Sequence, residues 1–70
     1  MSLAHLYKSE YAQQIEARGK AKALLRILHH RGVPVEPAVR ERIMSCSDTD
    51  LIEVWVVRAL NVTTADELFD

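Results

Sequence analysis

Apolar and polar positions alternate with a helical period along most of this chain. From Ser2 to His30 apolar residues recur at spacings of three and four, while polar residues occupy the opposite face. Arg31-Gly32 then supplies a C-terminal cation and a stop glycine. The pattern predicts one long helix over about 2–30, with Gly19 as a place where it could bend or loosen. The apolar stripe of this helix consists of Leu6, Tyr7, Tyr11, Ile15, Ala17, Ala21, Leu24, Leu25 and Leu28.

Three shorter helices are predicted in the remainder of the chain. Pro37 suits the first turn of a helix over about 37–46. Ser47 or Asp48 can cap a third helix over about 48–61, and Thr64 with Glu67 forms a capping box for a fourth over about 64–69. We therefore predict an all-α fold in one domain, residues 1–70, whose three short helices pack on the C-terminal half of the first. The predicted core contains Leu24, Leu25, Leu28, Val39, Ile43, Leu51, Trp55, Ala59, Leu68 and Phe69.

The segment 51–57 is the ambiguous one, because its β-branched and aromatic residues taken alone favour a strand. A lone strand would have no partner in an otherwise helical chain, and the capped start favours a helix. If Leu51, Ile52, Trp55 and Ala59 face the core, Val54 and Val57 point elsewhere and need a second cover. Trp55 is interpreted as the core anchor rather than as a stacking platform for a ligand.

The small size of the chain favours self-association. A lone core in 70 residues seldom supplies more than ~3–5 kcal/mol, and Cys46, the single cysteine, cannot form a disulfide within the chain. The N-terminal half of the first helix also carries an apolar stripe beyond the reach of the later helices, as interaction sites do. We predict a homo-oligomer, most simply a dimer, and the alternative is contact of the stripe with an upstream domain. The predicted interface residues are Leu6, Tyr7, Tyr11, Ile15, Val54 and Val57.

Charge is divided unevenly along the chain. Residues 1–42 contain eight Lys or Arg and four Glu, a net charge of +4, whereas residues 43–70 contain one Arg and six acids, a net charge of −5. The basic run could contact phosphates. An interpretation without nucleic acid is favoured, because cations stabilise the C-terminal half of a helix and no aromatic residue interleaves the run. The candidate phosphate contacts are Arg18, Lys20, Lys22, Arg26 and Arg31.

Residue types that carry chemistry are sparse. His29 and His30 are adjacent, so on a helix they point about 100° apart and cannot complete one metal site. Cys46 lies at a predicted helix C-terminus rather than an activating N-terminus, and is interpreted as a small core residue. Asp48 and Asp50 are explained by a helix start. The sequence thus predicts no enzyme: no catalytic residue, no metal and no cofactor.

The tight turn between the second and third helices is also compatible with a helix-turn-helix DNA-binding motif. The recognition helix of that motif presents Arg, Lys, Asn or Gln to base edges. Here that helix offers Glu53, Val54 and Trp55 after two aspartates, which would repel phosphate. This class is rejected.

Neither a signal peptide nor an apolar run of the ~20 residues needed to span a bilayer occurs in the sequence. Together with the single unpaired cysteine, this predicts a reducing, cytoplasmic setting and no membrane partner.

The residue string from about 9 to 69 resembles the C-terminal helical tail of bacterial, largely actinobacterial, proteins described as recombination-promoting nucleases or putative transposases. In those proteins the tail follows a PD-(D/E)XK-type nuclease-like domain, which has no counterpart here, so no catalytic residue is carried over. The resemblance implies a tail for association or regulation. Val54, Val56 and Val57 depart from it, because polar residues are commoner there, which suggests a stickier surface. The matching positions are Arg31-Gly32, Val39–Ile43, Cys46-Ser47-Asp48, Leu51, Trp55, Arg58-Ala59 and Thr64–Phe69.

Two functions from different classes follow. The favoured one is a non-catalytic helical interaction module that associates with itself. The alternative is a small nucleic-acid accessory protein that uses the basic face from Arg18 to Arg31.

Overall fold

The computed structural model describes residues 10–70, and within them every regular element is helical. Helix α1 spans Glu10–His30, α2 spans Pro37–Met44, α3 spans Thr49–Ala59, and a short 3-10 helix spans Ala65–Phe69. The predicted all-α fold is confirmed, including helix rather than strand over 51–57. The portion 2–9 of the predicted first helix, with Leu6 and Tyr7, lies outside the described residues.

The long helix α1 ends as the sequence predicts. Gly32 adopts a φ of 74°, the left-handed conformation that glycine tolerates without a steric penalty. The Gly32 N–H donates to His29 O at 3.0 Å, and the Val33 N–H donates to Leu28 O at 2.9 Å. This pair of bonds is a Schellman motif. It turns the chain sharply and points Val33, which is buried, back at Leu28. Near its middle, α1 continues without interruption through Gly19.

Helix α3 runs alongside α1 in the same direction and forms the largest contact of the described chain. Near the start of α3, Gln13 Nε2 donates to Ser47 O at 3.1 Å. At its end, Arg31 Nη1 donates to Ala59 O at 2.9 Å. Small side chains let two helix axes approach closely, and the buried Ala17, Ala21 and Ala59 serve this purpose here. The buried residues of the described chain are Ala17, Ala21, Leu24, Leu28, Val33, Ile43, Ile52, Trp55, Ala59, Val62, Ala65 and Leu68.

Leu51 is the one predicted core residue that the structure places at the surface. Its side chain is 41% exposed, whereas the neighbouring Ile52 is fully buried. The buried stripe of α3 follows the spacing Ile52, Trp55, Ala59, so Leu51 falls about 40° outside its Trp55 edge. Three further predicted core residues, Leu25, Val39 and Phe69, are half-buried and pack against the core.

The helix starts confirm one of the predicted caps in detail. Of the two candidates, Asp48 caps α3, and its carboxylate accepts the N–H groups of Asp50 and Leu51 at 3.1 Å each. Thr64 is the N-cap of the last helix, as predicted, but its side chain makes no capping hydrogen bond. Glu67 instead accepts from the N–H of Thr63 at 3.1 Å and from its hydroxyl at 2.8 Å. The last element is a 3-10 helix, whose tighter turn carries Glu67 back to Thr63.

Those bonds favour the ionised form of Glu67. The Thr63 hydroxyl, followed by the Thr63 backbone N–H, lowers the pKa of the Glu67 carboxyl below its ordinary value of 4.5. A lowered folded-state pKa contributes stability that is present above the ordinary value. That contribution is lost as the pH falls through the lowered one.

The C-terminal 3-10 helix is held by aromatic and arginine contacts. The Phe69 ring meets Trp55 edge to face, with ring centroids 5.0 Å apart, and the Arg42 guanidinium lies 3.9 Å above the Phe69 ring. Arg58 Nη1 also donates to Leu68 O at 2.7 Å. Geometry of this kind adds stabilisation beyond area burial. Trp55 thus joins the core of α1 and α3 to the end of the chain.

We expect Trp55→Ala to destabilise the fold by about 3–5 kcal/mol, the range for emptying a large buried aromatic site. Trp55 is 4% exposed, and its loss also removes the ring against which Phe69 packs. Urea unfolding followed by far-UV circular dichroism measures the effect. Gln14→Ala, at an exposed position of α1, should stay within about 0.5 kcal/mol of the parent. A Trp55→Ala protein as stable as the parent would remove Trp55 from its role as core anchor.

Candidate interaction surfaces

Exposed apolar side chains of the described residues form two patches. Tyr11 is 74% exposed and Ile15 is 56% exposed, one turn apart on α1. The second patch follows α3 at spacings of three and consists of Leu51, Val54, Val57 and Leu60. Large apolar residues grouped in this way, unlike single ones scattered over a surface, mark candidate interaction sites.

The two patches lie on different faces of one chain. Gln13 and Lys20 mark the side of α1 that faces α3, because they contact Ser47 and Glu53. At about 100° per residue, Tyr11 and Ile15 lie roughly 140–180° around the helix from that side. The α1 patch therefore points away from α3, and the interface residues predicted from the sequence are divided between two surfaces.

A groove with a cationic rim runs between α1 and α2. Its volume is about 370 Å³, and its apolar floor is formed by the half-buried Leu25 and Met44. Lys22, Arg26 and Arg40 are exposed around it. No acidic side chain occurs among its described lining residues. We call this the cationic groove; it is lined by Lys22, Leu25, Arg26, His29, His30, Arg40 and Met44.

The exposed side of α3 carries the opposite charge. Asp50 and Glu53 lie beside Val54 and Val57 around an open concavity of about 430 Å³, with Arg58 at one end. We call these five residues the acidic face. On the acidic face, carboxylates flank exposed apolar residues, whereas in the cationic groove, cations flank an apolar floor.

The five predicted phosphate contacts are not equivalent in the structure. Lys20 Nζ lies 3.3 Å from Glu53 Oε2 in a partly exposed ion pair. Arg31 is used structurally, because its Nη1 donates to Ala59 O at 2.9 Å and to Val62 O at 2.6 Å. Ala59 O lies at the C-terminal end of α3, and Val62 O lies in the turn that follows, where backbone acceptors lack helical partners. The remaining three, Arg18, Lys22 and Arg26, are exposed.

The sequence did not predict a place for the exposed Arg40 or the half-buried Met44 in a binding surface. Their place in the cationic groove depends on how α2 is rotated against α1, and the sequence contains no signal for that rotation. The role of Arg31 was missed for a similar reason. An arginine before a stop glycine is explained by the helix dipole alone, and its distance to Ala59 becomes known only from the fold.

The histidine and cysteine side chains of the described residues are separated in the fold. Among residues 10–70, no group of three His, Cys, Asp or Glu side chains is placed to hold a metal ion. The His29 and His30 rings are 6.0 Å apart at 73° to one another. The Cys46 thiol lies 3.7 Å from Asp48 O, half-buried against the core. In the same part of the chain, none of the helices combines the length and apolar character needed to cross a membrane.

Comparisons with protein-family models, with curated proteins and with solved structures gave no match to this chain.

We expect Arg31→Met to destabilise the fold by about 1–3 kcal/mol, because the Ala59 and Val62 carbonyls lose their donor in a part-buried setting. Arg18→Met is the matched control. It removes the same charge from an exposed position of the same helix, and should change stability by less than about 0.5 kcal/mol. Urea midpoints measured side by side provide the comparison. Equal midpoints for the two variants would contradict the structural role of Arg31.

Proposed function

We propose that this chain is a non-catalytic helical interaction module that associates with itself, most simply as a homodimer. The observation that carries the proposal is the exposure of Tyr11 and Ile15 on adjacent turns of α1. In the described residues both point away from α3, the main packing partner of that helix.

Two-fold pairing of α1 helices would cover this patch. In a symmetric dimer the same surface of both copies is buried, so each apolar residue counts twice. Burial contributes about 25 cal/mol per Å² of apolar area, and an interface of ordinary size retains driving force after the entropy of association. Tyrosine suits such a contact, because its ring can be buried while its hydroxyl stays at the wet rim.

The modest core supports the same proposal. The described chain buries twelve apolar residues, four of which are alanines. A core of this kind gives a small domain only marginal stability. Association adds stability by mass action, because a partner that binds the folded chain but not the unfolded one favours folding.

The resemblance to nuclease tails is compatible with this role and adds one competing partner. An upstream nuclease-like domain would cover the α1 patch from the same chain. Self-association of the isolated chain would then compete with that domain, and the two would use the same residues, Tyr11 and Ile15.

Tyr11→Glu tests the proposed interface. A buried carboxylate without a partner is strongly unfavourable, so we expect the variant to be a monomer in light scattering at micromolar concentrations at which the parent is a dimer. Over that same range its melting temperature should fall and lose its dependence on protein concentration.

Ala23→Glu is the matched control, because it places the same charge at an exposed position elsewhere on α1. It should leave the mass and the concentration dependence unchanged. If both variants keep the parent's mass, the Tyr11 patch is not the contact.

Nucleic-acid binding is the second candidate, and the cationic groove favours it. Arg18, Lys22 and Arg26 are exposed along α1, and Arg40 adds a cation from α2. Lys20 and Arg31 are weaker candidates for phosphate contacts than the sequence suggests, because Lys20 pairs with Glu53 and Arg31 donates to Ala59 O.

A salt titration of binding to short duplex DNA tests this candidate. Each phosphate contact contributes a slope of about −0.9 in log K against log salt, so four cations predict a slope of roughly −3 to −4. Arg26→Ala should make that slope shallower by about 1, and Glu53→Ala, which frees Lys20, should not. No measurable binding at low salt would eliminate the candidate.

A further inference from the structure

We propose that the cationic groove of one copy receives the acidic face of a second copy. This inference rests on the proposed self-association but assigns a second, different contact. It concerns a groove and a helix face, whereas the two-fold contact concerns the α1 patch around Tyr11.

Charge complementarity selects this occupant. The groove presents three exposed cations, Lys22, Arg26 and Arg40, and the acidic face presents Asp50 and Glu53. The division extends beyond these residues, since residues 1–42 carry a net charge of +4 and residues 43–70 a net charge of −5. Complementary potentials steer association and fix the register of the contact.

Two charges near the contact reduce this complementarity. Lys20 already shares the Glu53 carboxylate at 3.3 Å. Arg58 lies at the end of the acidic face, where its Nη1 donates to Leu68 O. Asp50 is therefore the carboxylate of the acidic face with the greatest effect on a neighbouring groove.

The apolar parts of the two surfaces also correspond. Val54 is 44% exposed and Val57 is 58% exposed, one turn apart on α3. The groove offers Leu25 and Met44 between its cations. Methionine is unbranched and adaptable, which suits a floor that must fit another helix. Insertion of the two valines would cover apolar surface on both copies.

The contact is head to tail rather than two-fold. Lys22 and Arg26 lie roughly 120–160° around α1 from Lys20, the residue that marks the side facing α3. Groove and acidic face therefore lie on opposite flanks, and one copy can meet a different neighbour through each. Contacts of this heterologous kind form rings or open chains.

Mixing two variants tests this geometry. Both are made with Tyr11→Glu, so that the α1 patch is removed from the outset. Arg26→Glu spoils the groove and leaves the acidic face intact, whereas Asp50→Lys spoils the face and leaves the groove intact. Each variant alone should sediment as a monomer. Their mixture should form a complex of one copy of each and no larger species, because an intact groove meets an intact face only once.

Salt and a matched control complete the design. The Tyr11→Glu protein without further changes should form larger assemblies above the micromolar range in which the two-fold contact is tested. Its apparent Kd should weaken by about tenfold between low and high salt, because exposed charge pairs are screened. Arg18→Glu reverses a charge on α1 outside the groove lining and should leave that assembly intact. If Asp50→Lys lowers helical content in circular dichroism, Val54→Lys replaces it as the face variant.

Three results would overturn the proposal. One is a mixture in which both variants remain monomers. Another is assembly of either single variant to the same extent as the Tyr11→Glu protein. The third is loss of duplex DNA binding in Arg26→Glu without any change in association, which would assign the groove to nucleic acid. None of these depends on Tyr11, so the two-fold contact stands or fails separately.

Discussion

The close parallel packing of α3 along one side of α1 is the contact on which the rest of this structure depends. Ala17, Ala21 and Ala59 keep the two helices close, and the larger side chains of Ile52 and Trp55 fill the space beside them. Helix α3 covers α1 on this side, and α2 covers part of a second side of α1. A helix of 21 residues is thereby left with a wide uncovered surface. This one-sided burial leaves Tyr11 and Ile15 exposed on α1.

Arginine side chains fasten this small core from outside. In the described chain no polar or charged residue is buried, yet Arg31 connects α1 to the end of α3, and Arg58 connects α3 to the 3-10 helix. Arg42 lies over the ring of Phe69. Guanidinium groups suit this use, because they bond to carbonyls or stack on rings while their stems cover apolar surface. The positive charges of these arginines therefore do not by themselves indicate an anionic ligand.

The sequence predicted most of the fold, because helix periods and stop signals are local. The Schellman turn at Gly32, the entry at Pro37 and the Asp48 cap follow from neighbouring residues. The prediction for Leu51 was wrong because Leu51 and Ile52, four and three residues before Trp55, both fit a helical stripe. In the structure Ile52 is the one that packs into the core. The interaction surfaces could be predicted only in part. Tyr11 and Ile15 were identified by their periodicity, whereas Arg40 and Met44 line a groove that exists only after α2 has docked. The binding role of these surfaces is still a prediction.

Self-association is the central claim, and sedimentation equilibrium of the unmodified chain at micromolar concentration tests it most directly. The one-sided burial of α1 and the exposure of Tyr11 predict a mass of at least two chains, with dissociation on dilution. A single-chain mass at every concentration, with the Tyr11 ring accessible to quenchers, would contradict the account.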